Sequence, residues 1–419
     1  METIGPVRAQ KLFYGWVVLG AAFLIITMAI GTLFALGVFL KPIEEGMGWS
    51  RGAISSAALL NWLIVGLGSF VSGFVSDRVG TRTVVLAGGL LLGLGLVLGS
   101  QVSTLWQFYL TFGLLVGAGV SAFYVPLTAT ATKWFSARRG LAVAIVSAGN
   151  GLGVFLLSPL SRFLISAFDW RTAMLVLGDL AWLVVIPAAL LIRNSPQDVG
   201  AVAHGEAVAA VPASPAGSRT AGSVFRSGPF WTIALTHFAC CAAHSGPIFH
   251  MVAHAMDQGV AKMAAATVLG VSGFSSIFGR LGTGLLADRF GARQILVVGL
   301  SLQAFMILLF LFAGDLASFY GLALVFGMAY GGVMPLYALL TREHFGERVM
   351  GTAYGGVFFI SSIGMGFGSY AGGYIFDLLG SYRWLYLGSF AIGLAGVLLA
   401  STLRRPQSVP APAMAPVLH

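Results

Sequence analysis

Gly73-Phe-Val-Ser-Asp77-Arg78-Val-Gly80-Thr-Arg82 returns as Gly284-Leu-Leu-Ala-Asp288-Arg289-Phe-Gly291-Ala-Arg293, with identical spacing at an offset of 211 residues. Each copy closes a long apolar run. A looser echo links Asp169-Trp170-Arg171 with Tyr382-Arg383-Trp384, again before an apolar run. A spaced pattern repeated at half the chain length implies two copies of one unit. Parallel repeats of this kind in a membrane protein are related by an axis along the membrane normal, with a site between them at mid-depth.

The rest of the chain fits that reading. Hydrophobic residues make up 58% of the 419, charged residues 9%, and the mean hydropathy is +0.91, whereas soluble domains carry roughly 25% charged residues. Apolar windows long enough to cross a bilayer number twelve: 14–40, 52–76, 83–101, 105–132, 139–165, 172–192, 229–256, 263–287, 294–313, 316–340, 350–376 and 384–403. The first is too long for a signal-peptide core and lacks a cleavage site, so it is expected to be retained. The predicted fold is all-α: twelve transmembrane helices in two six-helix bundles related by pseudo-symmetry. The expected units are residues 1–193, a cytoplasmic linker at 194–227 rich in Ala, Pro, Gly and Ser, a second bundle at 228–405, and a disordered tail at 406–419.

The net charge of +9 does not point to nucleic acid, because the cations are segregated. With both termini on one side, 16 of the 23 Lys and Arg fall on that side, which by the positive-inside bias is cytoplasmic. The opposite side keeps Lys41, Arg51, Arg171, Lys262 and Arg383, with Arg162 near it. Cys240 and Cys241 are adjacent, too close for an ordinary structural disulfide and without zinc spacing, so packing is the expected role. No nucleophile–base set, metal cluster or nucleotide loop is visible, so neither an enzyme nor a cofactor is expected.

Arg280 interrupts an apolar stretch, Val268 to Leu286. A charge near the middle of an apolar helix costs roughly 2.5–3.5 kcal/mol on insertion scales, and such residues face a cavity or a partner. Arg280 precedes Asp288 by eight residues, or ~12 Å of helix in a core ~30 Å thick, which is near mid-depth. A guanidinium matches a carboxylate bidentately. The competing reading is a structural arginine held by carbonyls or an acid on another helix.

The repeated Asp-Arg loop resembles the signature of the major facilitator superfamily over all twelve spans. Trp134-Phe-Ser-Ala-Arg138-Arg139-Gly140-Leu-Ala-Val-Ala-Ile-Val-Ser-Ala-Gly149 resembles the span-five motif of monocarboxylate transporters. Phe39-Leu-Lys41-Pro-Ile and Gly48-Trp49-Ser50 are similar to that family too, and Phe278-Gly279-Arg280 matches its substrate-binding arginine. Oxalate:formate antiporters, close relatives, share most of these features. The resemblance implies a transporter, here a bacterial homologue in the cytoplasmic (inner) membrane, in which Asp77, Arg78, Asp288 and Arg289 gate the conformational change. It also implies that Arg280 binds substrate and that the regions of Tyr124 and Tyr330 line a cavity, where Asn150, Asn61 and Tyr354 are further donors. Aromatic core packing is the competing role for each tyrosine.

Two features narrow the substrate. The antiporters' second cation in span eleven is absent here, since 350–376 holds no Lys or Arg. One fixed cation neutralises one carboxylate, and a second would stay unpaired at low dielectric. The expected partners are therefore a small monocarboxylate such as L-lactate or pyruvate, a proton, and the lipid bilayer, with an anion exchanger of the oxalate:formate type as the alternative. Ser276 stands where the family has an aspartate one turn before the arginine, and Phe34 where it has a lysine, so the usual proton relay is missing. Span seven offers His237, His244, His250, His254 and Asp257 around Gly246-Pro247, where a break is expected. Asp257 is the first choice as proton-sensitive partner of Arg280 and His250 the second; an external-loop location is the competing reading for Asp257. Asp179, inside span six, is expected to be paired structurally.

Overall fold

The computed structural model describes residues 13–135, 139–200, 221–346 and 349–403. Twelve long helices cross the molecule in alternating directions: α1 (Tyr14–Met47), α2 (Arg51–Val79), α3 (Thr81–Gly99), α4 (Leu105–Trp134), α5 (Arg139–Ala167), α6 (Trp170–Leu191), α7 (Gly228–Asp257), α8 (Lys262–Phe290), α9 (Ala292–Phe312), α10 (Leu316–Phe345), α11 (Met350–Leu379) and α12 (Arg383–Thr402). Eleven are long and apolar enough to span a membrane. The remaining one is α7, whose polarity comes largely from its four histidines. It tolerates them because it faces protein: every residue from Ala239 to Ala255 is buried. Among the described residues there are no strands, and the protein is an all-α membrane protein.

The repeated motif shows its physical purpose at both sites. Gly80 and Gly291 adopt φ of 87° and 91° between α2 and α3 and between α8 and α9, a region that L side chains avoid. The two Asp-Arg loops therefore lie at one end of the molecule, called here the loop end. At the opposite end the helices start on side-chain caps: Ser50 accepts from the Ala53 N–H, Asp169 from Thr172, and Asp315 from Ser318.

Helices α1–α6 form one set and α7–α12 the other. The halves meet chiefly through α2 against α11 and α5 against α8, with α1 against α7. The first two pairs exchange under the repeat, which carries α2 to α8 and α5 to α11. Small residues allow the approach. A methyl on Gly151 would sit 2.5 Å from the Gly273 carbonyl, and one on Gly66 would sit 2.8 Å from Ser362 Cβ.

Two local features differ from expectation. The helix α7 runs unbroken through Gly246-Pro247, because packing on all sides keeps it helical across the missing hydrogen bond. The break falls in α4 instead, at Ala122–Phe123, where the Pro126 ring meets the carbonyl of the residue four before it; a π-helical stretch, Tyr109–Val116, precedes that break. In the 194–227 segment, residues 201–220 lie outside the described residues. Its ends are ordered, as a tight turn at Pro196–Val199 and a short helix at Ala221–Phe225. Phe225 packs edge-on to Phe230 at 5.0 Å. The 406–419 tail also lies outside the described residues.

Candidate functional site

The antiparallel contact of α5 with α8 sets the level of Arg280. Gly151 meets Gly273 and Ile277, and Gly270 meets Phe155. Continuing that register puts Arg280 beside the turn holding Ser147 and Asn150. Ser147 Oγ shares a hydrogen bond with the Tyr124 hydroxyl at 3.0 Å, and the Tyr124 ring stacks across the halves on Phe358, 6.4 Å between centroids. Tyr330 is buried beside Ser276 and lies within the field of Arg280, as does the Tyr354 phenol. The structure thus gathers Arg280, Tyr124, Asn150, Tyr330 and Tyr354 around one interface of the two halves. Asn61 points elsewhere, donating to the Phe112 carbonyl within the first half.

Two atoms there are buried without a hydrogen-bond partner, Arg280 Nε and Asn150 Oδ1. A buried unpaired donor or acceptor costs about 1–3 kcal/mol, more when charged. One is a donor on a charged group and the other a neutral acceptor, and they belong to separate halves.

Towards the opposite end lies an apolar constriction. Phe34, Trp62, Phe112, Phe249 and Met365 surround a cavity of about 10 Å³, at the lower limit for a single water. Beyond it sits a charged cluster that sequence reading did not assemble. Arg51, 4% exposed, donates through Nε to Glu44 at 3.0 and 3.2 Å, and through Nη1 to Asp257 at 2.6 Å and the Tyr382 hydroxyl at 2.8 Å. Lys41 donates to Asp257 at 2.7 Å. Asp377 accepts the Arg51 and Gly52 backbone N–H groups at 3.1 and 2.7 Å, capping α2 from the other half. The guanidinium also lies 3.7 Å over the Phe376 ring. Two cations thus face three carboxylates, and first-half groups are tied to second-half groups at every point except Glu44.

Asp257 is therefore not beside Arg280. It ends α7 at the opposite end of the molecule, with Arg51 and Lys41 as partners. Burial pushes its carboxyl up, but the hydrogen bonds from Arg51 and Lys41, with their charges, pull it below the ordinary carboxylate range. His250 belongs to the same cluster. Its Nε2 lies 3.0 Å from the Ser369 carbonyl, which can only accept, so Nε2 carries the proton. Its Nδ1, 3.1 Å from the Tyr382 hydroxyl, then accepts. His237 stacks on Tyr337 at 3.8 Å and His244 on Tyr330 at 5.4 Å, while His254 faces the Phe310 carbonyl. Asp179 is exposed on α6 and has no ion pair among the described residues, because its side faces outward from the bundle.

The chain matches the family model "Major Facilitator Superfamily" over residues 22–369 and 283–416. It is 30% identical over 393 residues to monocarboxylate transporter 4 of Rattus norvegicus, covering 91% of this chain and 82% of that one. Monocarboxylate transporter 13 of Bos taurus is 29% identical over 392 residues, 92% and 89% of the two chains. This chain is a monocarboxylate transporter family member of the major facilitator superfamily. The fold agrees with a solved bacterial homologue of the human lysosomal transporter Spinster, in an inward-facing and unoccupied conformation, at a TM-score of 0.70 and 16% identity over 94% of this chain and 96% of that one. The protein is a transporter and not an enzyme.

The departures from the family pattern have local causes. Ser276 is fully buried and donates to the Gly273 carbonyl. A methyl on Gly151 would lie 2.8 Å from its Oγ, and one on Gly331 would lie 2.5 Å from its Cβ. The position is walled by two other helices, and a longer side chain would meet both. Phe34 packs edge-on to Trp62, 6.2 Å between centroids, and belongs to the constriction. The four expected gate residues lie at the loop end. Asp77, Arg78, Asp288 and Arg289 are exposed, and Arg78 covers Phe74 at 4.1 Å and Arg289 covers Phe290 at 5.4 Å. Among the described side chains the interhalf ion pairs all lie at the opposite end.

Proposed function

We propose that this transporter moves one small monocarboxylate together with one proton by alternating access, in the cytoplasmic membrane with both termini inside. The observation that carries the reading is Arg280 Nε, buried and unpartnered at the interface of the halves, on the family's arginine position. Arg280 takes the carboxylate in a fork of N–H donors. Asn150 Oδ1 accepts a hydroxyl proton of the kind a 2-hydroxy acid such as L-lactate offers. Tyr124, Tyr330 and Tyr354 set the length of the chain that fits, their rings packing on carbon and their hydroxyls donating. With no Lys or Arg in α11, a second carboxylate would stay unpaired, which favours a monoanion. The relatives' names support the same class. His250 carries the proton in the coupling and Asp257 is the ion-paired anchor of the same cluster, while the four loop residues Asp77, Arg78, Asp288 and Arg289 form the gate that closes when the loop ends approach.

Uptake of labelled L-lactate into vesicles under an inward proton gradient tests this, for the parent and for Arg280→Ala. Uptake that rises with the gradient and is lost in a folded variant supports symport through Arg280. Counterflow indifferent to pH selects exchange of the oxalate:formate kind, and uptake that survives the loss of Arg280 overturns the site.

A further inference from the structure

We propose that His250 is the proton switch of the Arg51 cluster: neutral, it holds Tyr382 in place to receive Arg51 and keeps the opposite end shut, and protonated it releases that end. The inference rests on the symport reading and says where its coupling resides.

His250 is fully buried and both ring nitrogens are used. Nε2–H donates to the Ser369 carbonyl, and Nδ1 accepts from Tyr382. The Tyr382 hydroxyl, having given its proton to His250, presents its oxygen to Arg51 Nη1 at 2.8 Å. A proton on Nδ1 turns that acceptor into a donor. Tyr382 must then accept from the ring as well as from Arg51, and two cations face one phenol oxygen. The ring cannot turn away, since a methyl on Gly372 of α11 would lie 2.6 Å from Nε2 and the Phe249 and Tyr382 rings flank it. Tyr382 has to move, and with it goes one of the bonds that hold Arg51 across the halves.

The charged and titratable groups around His250 agree. Arg51 reaches this place from α2, with Asp257 of α7 and Asp377 of α11 bound to it. Both carboxylates are already engaged, Asp257 by Arg51 and Lys41, Asp377 by the start of α2. Glu44 is taken up by Arg51 Nε, and His254, one turn on, faces the Phe310 carbonyl. Parting the halves frees these acids and removes Arg51, so the open form is the better home for a proton on His250. Asp257 does not serve as the switch itself, since its paired carboxyl lies below the ordinary range and stays ionised at neutral pH. It is an anchor. An imidazole released to its ordinary value of about 6.5 would raise the open-to-shut ratio about tenfold between pH 8 and pH 5.5.

Spin labels on cysteines at the exposed Glu45 of the first half and Lys262 of the second read the opening of that end in the full chain in lipid nanodiscs, without any substrate. The expected result is a long-distance population that grows as pH falls through about 6.5, and no such growth in His250→Gln, whose amide can replace both bonds but cannot titrate. Tyr382→Phe removes the relay and should reduce the pH dependence while weakening closure at every pH. Equal pH dependence in parent and His250→Gln, or none in the parent, overturns the proposal. Should His250→Gln fail to fold, pH dependence of undiminished size in Tyr382→Phe overturns it instead. Because no carboxylate is present, failure here leaves the Arg280 uptake test standing on its own, and failure there leaves this one.

Discussion

At the scale of single residues, the chain separates charge from geometry. Arg280 could be picked out of the sequence because one cation in an apolar run has few uses, and its depth followed from counting residues to Asp288. The carboxylate fork needs more than the charge. Arg280→Lys keeps the cation and loses the planar pair of donors, so lactate uptake should fall at least tenfold, roughly 1.4 kcal/mol, with the protein still folded; uptake within twofold of the parent would show that charge alone suffices. The partner of Asp257 was not legible. Lys41 and Arg51 are 216 and 206 residues away from it, and no local spacing rule reaches that far. Ser276 was recognised as a departure from the family, but the crowding that explains it comes from glycines on α5 and α10, which no reading of α8 alone supplies.

At the scale of helices, the repeat and the hydropathy windows fixed number and direction, because a bilayer requires every backbone group to be paired within the protein, and continuous apolar runs of this length do so as helices. Kinks were harder. Gly246-Pro247 reads as a break and stays helical, whereas Ala122–Phe123 looks continuous and is broken; neighbours decide how a freed carbonyl is satisfied. Glycine positions sort in the same way. Gly151 faces the Gly273 carbonyl at 2.5 Å, a backbone group that cannot swing aside, while a methyl on Gly284 would meet nothing within 4 Å. Gly151→Ala should therefore cost about 1–3 kcal/mol through overpacking and lower the melting temperature by a few degrees. Gly284→Ala should hold or raise it, since alanine is the better helix former by about 1 kcal/mol. Equal shifts for the pair would mean that the α5–α8 contact does not have this closeness in the membrane.

At the scale of the molecule, shutting one end rests on a few groups that bridge two otherwise separate bundles. Asp257 contributes through a carboxyl held below its ordinary value of 3.8. Such a group stabilises fully above that value, and its contribution is lost as pH falls through the lower one. Asp257→Asn should melt below the parent by a constant margin between about pH 5 and pH 8, and the margin should shrink under about pH 4. A margin that grows on acidification would reverse the sign and exclude this pairing. That margin reflects the arrangement of the halves, and neither half taken alone contains the pair.

Three carboxylates against two cations leave the Arg51 cluster, at the closed mouth, with one surplus negative charge of its own. An arriving anion meets repulsion there, and the repulsion ends when protons neutralise the cluster and the mouth opens. Proton first and anion second then becomes the favoured loading order. Its kinetic trace would be an apparent affinity for the acid that worsens with rising external pH while the maximal rate holds, and a dependence that flattens in strong salt, where the Debye length shrinks to a few ångströms.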